Sequence, residues 1–142
     1  MGDPKSQEFL IRNRLPDLET LAGGLGGFCL DAGIGDEESG DIRLAVEEAV
    51  SNTIRHGYVD SREHLIRVRA TLEDGRIRLE IEDDARAFNP LEAPLPDVSL
   101  PVEEKTPGGL GILLLRSVMD RVEYRRSADR NILTMVRSIG RR

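Results

Sequence analysis

The chain has 142 residues, of which 39% are hydrophobic, 32% charged and 4% aromatic, a composition for one globular domain with a core of Leu, Ile, Val and Ala. Twenty basic against 26 acidic side chains leave a net charge of −6, which excludes a general electrostatic grip on nucleic acid. Cys29 is alone, which excludes an internal disulfide and a zinc site with several thiolates, and no apolar run approaches the roughly 20 residues that span a membrane, so a soluble cytoplasmic protein is expected.

Residues 6–14 (SQEFLIRNR) predict a first strand. Pro16 then opens a helix through Leu18, Leu21, Leu25 and Phe28, although Gly23, Gly24, Gly26 and Gly27 disfavour it. A second helix carries Ile42, Val46, Ala49, Val50 and Thr53 at helical spacing and stops at Gly57. Ile66, Val68, Ala70 and Leu72 alternate with polar residues, as do Ile77, Leu79 and Ile81, and Asp74-Gly75 between them predicts a hairpin. Residues 83–109 contain five prolines and little periodicity, the mark of a functional lid. A short helix from Leu110 to Asp120 follows, then a hairpin: Arg121 to Ser127, a turn at 128–130, and Asn131 to Ile139. This order predicts an α/β (α+β) two-layer sandwich in a single domain, residues 1–142, with the lid at about 91–107.

Three segments carry chemistry. In EEAVSNTIRHG, Glu48, Asn52 and His56 fall at i, i+4 and i+8 along one edge of an apolar helix stripe. An amide oxygen there suits a hard cation such as Mg²⁺, and a carboxylate one turn away can polarise a hydroxyl. A solvated helix face ending in a dipole-favoured His has the same pattern. In IEDDARAFNP a strand runs into Asp83 and small residues, where a carboxylate can accept from an exocyclic amine; an ordinary strand exit reads alike. In TPGGLGI, glycines before a helix expose amides that suit phosphate oxygens. No Gly-Lys-Ser/Thr follows, so this is not a Walker P-loop.

Together and in this order, the segments resemble the GHKL ATPase superfamily: Glu48 to Asn52 as N box, Asp83 to Ala87 as G1 box, Gly108 to Gly111 as G2 box. Within it, EEAVSNTIRHGY, DDARAFNP with its Pro-rich sequel, GGLGILLLRSVMD and NILTM are similar to the anti-sigma-factor serine/threonine protein kinases. The resemblance implies the Bergerat ATP-binding fold, a mixed, mostly antiparallel sheet with helices on one face and ATP between helices and lid. It implies that Asn52 coordinates Mg²⁺, Glu48 is the general base, and Asp83 reads the adenine amine, aided through water by Thr134. Gly109, Leu110 and Gly111 then give amides to the phosphates, and Gly108, His56, Ala85 and Ala87 complete the nucleotide site. The implied partners are an anti-anti-sigma (STAS-type) protein phosphorylated on serine, a sigma factor that is sequestered, and a second copy in a homodimer; neither nucleic acid nor membrane is a direct partner.

The chain departs from the family at Ala85 and Ala87, where the G1 box normally reads Asp-x-Gly-x-Gly. Each methyl hinders positive φ, at a cost of about 1 kcal/mol if the loop needs it. Arg86 either reaches the nucleotide or points to solvent; Lys105 and Arg116 are the nearest cations for the phosphates. The alternative reading is a non-catalytic, nucleotide-dependent protein-binding module of the same fold. A sensor histidine kinase needs a phospho-accepting His on a dimerising hairpin, and neither His56 nor His64 sits in such a segment.

Overall fold

The computed structural model describes residues 5–92 and 109–140. Five strands and three helices follow in the expected order: β1 (Lys5–Arg12), α1 (Asp17–Asp31), α2 (Asp36–His56), β2 (Leu65–Glu73), β3 (Arg76–Asp83), α3 (Gly109–Val118), β4 (Arg121–Ser127) and β5 (Arg130–Ser138). The strands form one sheet in the order β1-β2-β3-β5-β4. All four pairings are antiparallel, so among the described residues the sheet has none of the parallel pairing that a mixed sheet allows. The lid expected at 91–107 lies, beyond Leu91 and Glu92, outside the described residues.

Period-two alternation decides which face is covered. Ile66, Val68 and Ala70 of β2, Ile77, Leu79 and Ile81 of β3, and Leu133 and Met135 of β5 are buried. Leu21, Leu25, Ile42, Val46, Val50 and Leu115 of the helices close the same core. The intervening strand residues, such as Arg67, Arg69 and Arg78, are exposed, so the helices cover one face only.

Local chemistry explains the elements. The 21-residue α2 starts on Asp36, Glu37 and Glu38 and ends on Arg55 and His56, which matches charge to its dipole at both ends. Its Asp41 carboxylate lies 2.7 Å from the Arg137 guanidinium and ties the helix to β5. Helix α1 runs through its four glycines because Leu21, Leu25, Phe28 and Cys29 bury a continuous stripe, and tertiary packing outweighs propensity. Gly24 also has a reason: a Cβ there would stand 2.6 Å from the Phe9 ring of β1. Both hairpins turn through positive φ, at Asp74 and Gly75 (52° and 74°) and at Ala128 and Asp129 (52° and 63°). The second turn does so without the glycine that usually announces such a turn.

Candidate functional site

A cleft open to solvent lies between the C-terminal half of α2 and the ends of β3 and β5. Its wall includes Asn52, His56, Asp83, Ala85, Arg86, Tyr124 and Asn131. Two of the three chemical segments of the sequence therefore meet in one place.

Asp83 ends β3 on the buried face and is 3% exposed. Its Oδ1 accepts from the Ala85 amide at 3.0 Å and from Asn131 Nδ2 at 2.8 Å. Among the described residues its Oδ2 has no protein donor. Burial pushes the Asp83 carboxyl above its usual range, against the pull of the hydrogen bonds from Asn131 and Ala85.

Asn131 organises the turn that follows. Its Nδ2 also donates to the carbonyls of Ala85 (3.3 Å) and Arg86 (3.0 Å). Its Oδ1 accepts from Tyr124 Oη (2.5 Å), Arg126 Nη1 (3.0 Å) and the Phe88 amide (3.4 Å). Acceptors gather on one side of the amide and donors on the other, which fixes its orientation. Arg126 Nη1 donates in addition to the Ala85 carbonyl at 3.0 Å. The turn is joined to α2 as well: the Arg86 amide donates to the Gly57 carbonyl at 3.0 Å, and the Ala85 methyl is 2.8 Å from where a Cβ on Gly57 would stand.

Neither Ala85 nor Ala87 is among the residues with positive φ. The strain that the Gly-to-Ala changes threatened is therefore absent. Ala85 is buried, and Ala87 and Arg86 are exposed.

Along α2 the three polar residues differ in exposure. Glu48 is half-buried, Asn52 is buried and His56 is exposed on the cleft rim. Asn52 is only 8% exposed, yet its amide makes no hydrogen bond to the described residues. Glu48 is not part of the cleft wall. It lies one turn beyond Asn52, where its Oε2 occupies the space a Cβ would need on Gly111 of α3. Gly109, Leu110 and Gly111 are the first three residues of α3, whose amides have no intrahelical acceptor. Gly108 and Lys105 lie outside the described residues, and Arg116 is exposed.

Thr134 departs from expectation. It pairs with Glu80 and Glu123, on the face of the sheet away from the helices and the cleft. The residues of β5 that share the face of Asp83 are Asn131, Leu133 and Met135. Asn131, not Thr134, is the polar side chain that β5 brings to Asp83. The alternation of NILTM carries that signal: Asn131 is in phase with the apolar Leu133 and Met135, and Thr134 is out of phase. Tyr124 and Arg126 had no comparable signal, since their approach depends on the β4–β5 pairing.

A sequence profile for the histidine kinase-like ATPase domain matches residues 11–137. An anti-sigma F factor of Caldanaerobacter subterraneus subsp. tengcongensis is 30% identical over 106 residues, covering 74% of this chain and 73% of that protein. A serine/threonine-protein kinase, BtrW, of Bordetella bronchiseptica is 29% identical over 96 residues, 66% of each chain. A crystal structure of the RsbU and RsbW domains of a Mycobacterium tuberculosis protein superimposes with a TM-score of 0.70 at 16% identity. That match covers 97% of this chain and 33% of the solved one, and it speaks for the fold alone.

Proposed function

Because the chain belongs to the histidine kinase-like ATPase domain family, the family of its anti-sigma F factor relatives, we propose that it is an ATP-dependent serine/threonine protein kinase and anti-sigma factor. It phosphorylates a serine of an anti-anti-sigma (STAS-type) protein, sequesters a sigma factor in the cytoplasm, and works as a homodimer. The observation that carries this reading is that Asp83 of β3 and Asn52 of α2 line one cleft, while Glu48, one turn along α2 from Asn52, meets the start of α3 at Gly111.

The nucleotide base lies against Asp83, whose Oδ2 accepts from the exocyclic amine of adenine. Ala85 and Ala87 border the ring, and His56 stands at the rim. The phosphates run toward the first turn of α3, where Gly109, Leu110 and Gly111 offer free amides, preceded by Gly108. The donor set fits Mg²⁺: the Asn52 amide offers a neutral oxygen that has no hydrogen-bond partner among the described residues. When bound there, Mg²⁺ supplies charge neutralisation for the phosphates. Glu48 takes the proton of the substrate serine as its oxygen attacks the γ-phosphorus, the bond to the β–γ bridging oxygen breaks, and ADP leaves. Gly111 leaves the Glu48 carboxylate the room it occupies.

The non-catalytic reading, in which ATP only orders a partner surface, makes the opposite prediction for one variant. Glu48→Gln is expected to bind ATP and the partner protein as the wild type does and to lose phosphate transfer from [γ-³²P]ATP. Asn52→Ala is expected to lose the Mg²⁺ dependence of ATP binding in calorimetry. Partner regulation that survives Glu48→Gln in full, with no phosphoserine formed by the wild type, overturns the kinase.

A further inference from the structure

One cluster beside the cleft has no part in the chemistry above. The His64 side chain, 16% exposed, sits between two carboxylates. Its Nε2 is 2.9 Å from Asp60 Oδ1, and its Nδ1 is 3.1 Å from Asp84 Oδ2. A neutral imidazole has one N–H and one lone pair, so it satisfies only one of these acceptors; the imidazolium satisfies both. The Tyr58 ring stacks on it, with centroids 4.5 Å apart and planes at 27°. Tyr58 and Asp60 lie on the segment that leaves α2, whereas Asp84 directly follows Asp83. His64 thus ties the exit of α2 to the turn that carries Asp83 and Ala85, on the side opposite Asn131.

We propose that His64 is a positioning residue for nucleotide binding: as an imidazolium bridging Asp60 and Asp84, it holds the turn after β3 in the form that presents Asp83, and affinity falls when the bridge loses its proton. The inference rests on the nucleotide reading of the cleft and adds a pH-dependent grip to it. The two carboxylates beside the ring favour the imidazolium, and the Arg62 guanidinium, 3.8 Å from Asp60 Oδ2, opposes it from the exposed side. Hydrogen bonds to Asp60 and then Asp84 raise the His64 pKa above its usual value. The His64 hydrogen bond, with that of the Arg62 amide, lowers the Asp60 carboxyl, so Asp60 stays charged throughout the window. Burial, and then the charges of Asp83 and Asp84, push the Tyr58 hydroxyl upward, so it stays neutral. On the β1 side stand the uncharged Asn13, which accepts from the His64 amide at 2.9 Å, and the Arg14–Glu63 pair at 3.6 Å. With the folded value raised, the bridge is complete below about pH 6.5, the ordinary histidine pKa, and is lost as pH climbs through the raised one.

The test is calorimetric titration with ATP of the wild type, His64→Gln and Asp84→Asn at pH 6 and pH 9.5. Titration of the ATP phosphates is common to all three proteins and cancels in the ratio of affinities; because the Asp84 charge acts on the Asp83 carboxyl, the ratio of wild type to His64→Gln is the one that decides. The wild type is expected to bind about fivefold more tightly than either variant at pH 6 and no more tightly at pH 9.5, the scale of one charge-assisted hydrogen bond. The double variant is expected to be no weaker than either single one. A wild-type-to-variant ratio that is the same at both pH values overturns the proposal. If the wild type binds no ATP at either pH, the nucleotide reading fails, and amide exchange at Ala85 and Arg86 decides the bridge. Protection lost between pH 6 and 9.5 in the wild type but already missing in His64→Gln upholds it; equal protection in both proteins overturns it.

Discussion

Two donors converge on one oxygen of Asp83 and, among the described residues, none on the other, so the residue is asymmetric in a way that a substitution exposes. In Asp83→Asn, the Ala85 amide and Asn131 Nδ2 hold the new carbonyl oxygen at the Oδ1 position. The new NH₂ then occupies the Oδ2 position, where it faces the donor of the ligand. ATP affinity is expected to fall by more than about tenfold, since a buried donor is left against a donor. The melting temperature is expected to hold or rise. The Asp83 pKa is raised on folding, so the ionised carboxylate is a cost to the folded state at neutral pH, which the amide removes. Thr134→Ala is the companion measurement: with its side chain on the far face of the sheet, it is expected to leave ATP affinity within about twofold, well under 1 kcal/mol. The candidate residues of α2 and the Asp83 turn were legible because their spacing along the chain is local. On β5 the resemblance points to Thr134, whereas the phase of the strand points to Asn131.

Glycines separate local from tertiary causes at the scale of elements. Gly23 and Gly24 are neighbours in α1, yet a Cβ meets nothing within 4 Å at Gly23 and the Phe9 ring at Gly24. Gly23→Ala is expected to stabilise the protein by about 0.5–1 kcal/mol through helix propensity. Gly24→Ala is expected to destabilise it by about 1–3 kcal/mol through overpacking against β1; thermal or urea unfolding of both variants checks the contrast. Gly111 tests the α2–α3 contact in the same manner. A methyl there displaces the Glu48 carboxylate, so Gly111→Ala is expected to reduce phosphate transfer by at least about tenfold, with a smaller change in ATP affinity. The sequence made α1 look doubtful because propensity counts each glycine as a loss, whereas the buried stripe of Leu21, Leu25 and Phe28 decides the outcome. The Asp74-Gly75 turn was plain for the opposite reason, since its chemistry is contained in two adjacent residues. The Ala128–Asp129 turn has no such chemistry and was placed only by the strands on either side.

For the molecule as a whole, the one-sided sheet leaves a face of alternating charge open to solvent. Arg69 and Arg67 lie 2.9 and 3.6 Å from Glu8, Arg130 is 2.5 Å from Glu82, and Arg121 is 2.7 Å from Glu123. Pairs of this kind contribute little in water and are screened by salt. The melting temperature is accordingly expected to move by no more than about 2 °C between 0.05 and 1 M NaCl, because the buried apolar layer carries the stability. The two-layer architecture followed from element order alone. The strand order β1-β2-β3-β5-β4 did not, because periodicity fixes the face of a strand but not its neighbours. The Ala85–Gly57 contact bears on how this protein is to be engineered. Changing Ala85 to the glycine of the G1 pattern that this segment resembles looks like a repair toward consensus. Here the methyl is packed against an α2 exit that has no side chain of its own, so the reversion opens a void where the cleft is anchored. Consensus at one position is then a defect unless position 57 changes with it, and a backbone oxygen 2.7 Å from any Cβ there keeps that second change out of reach.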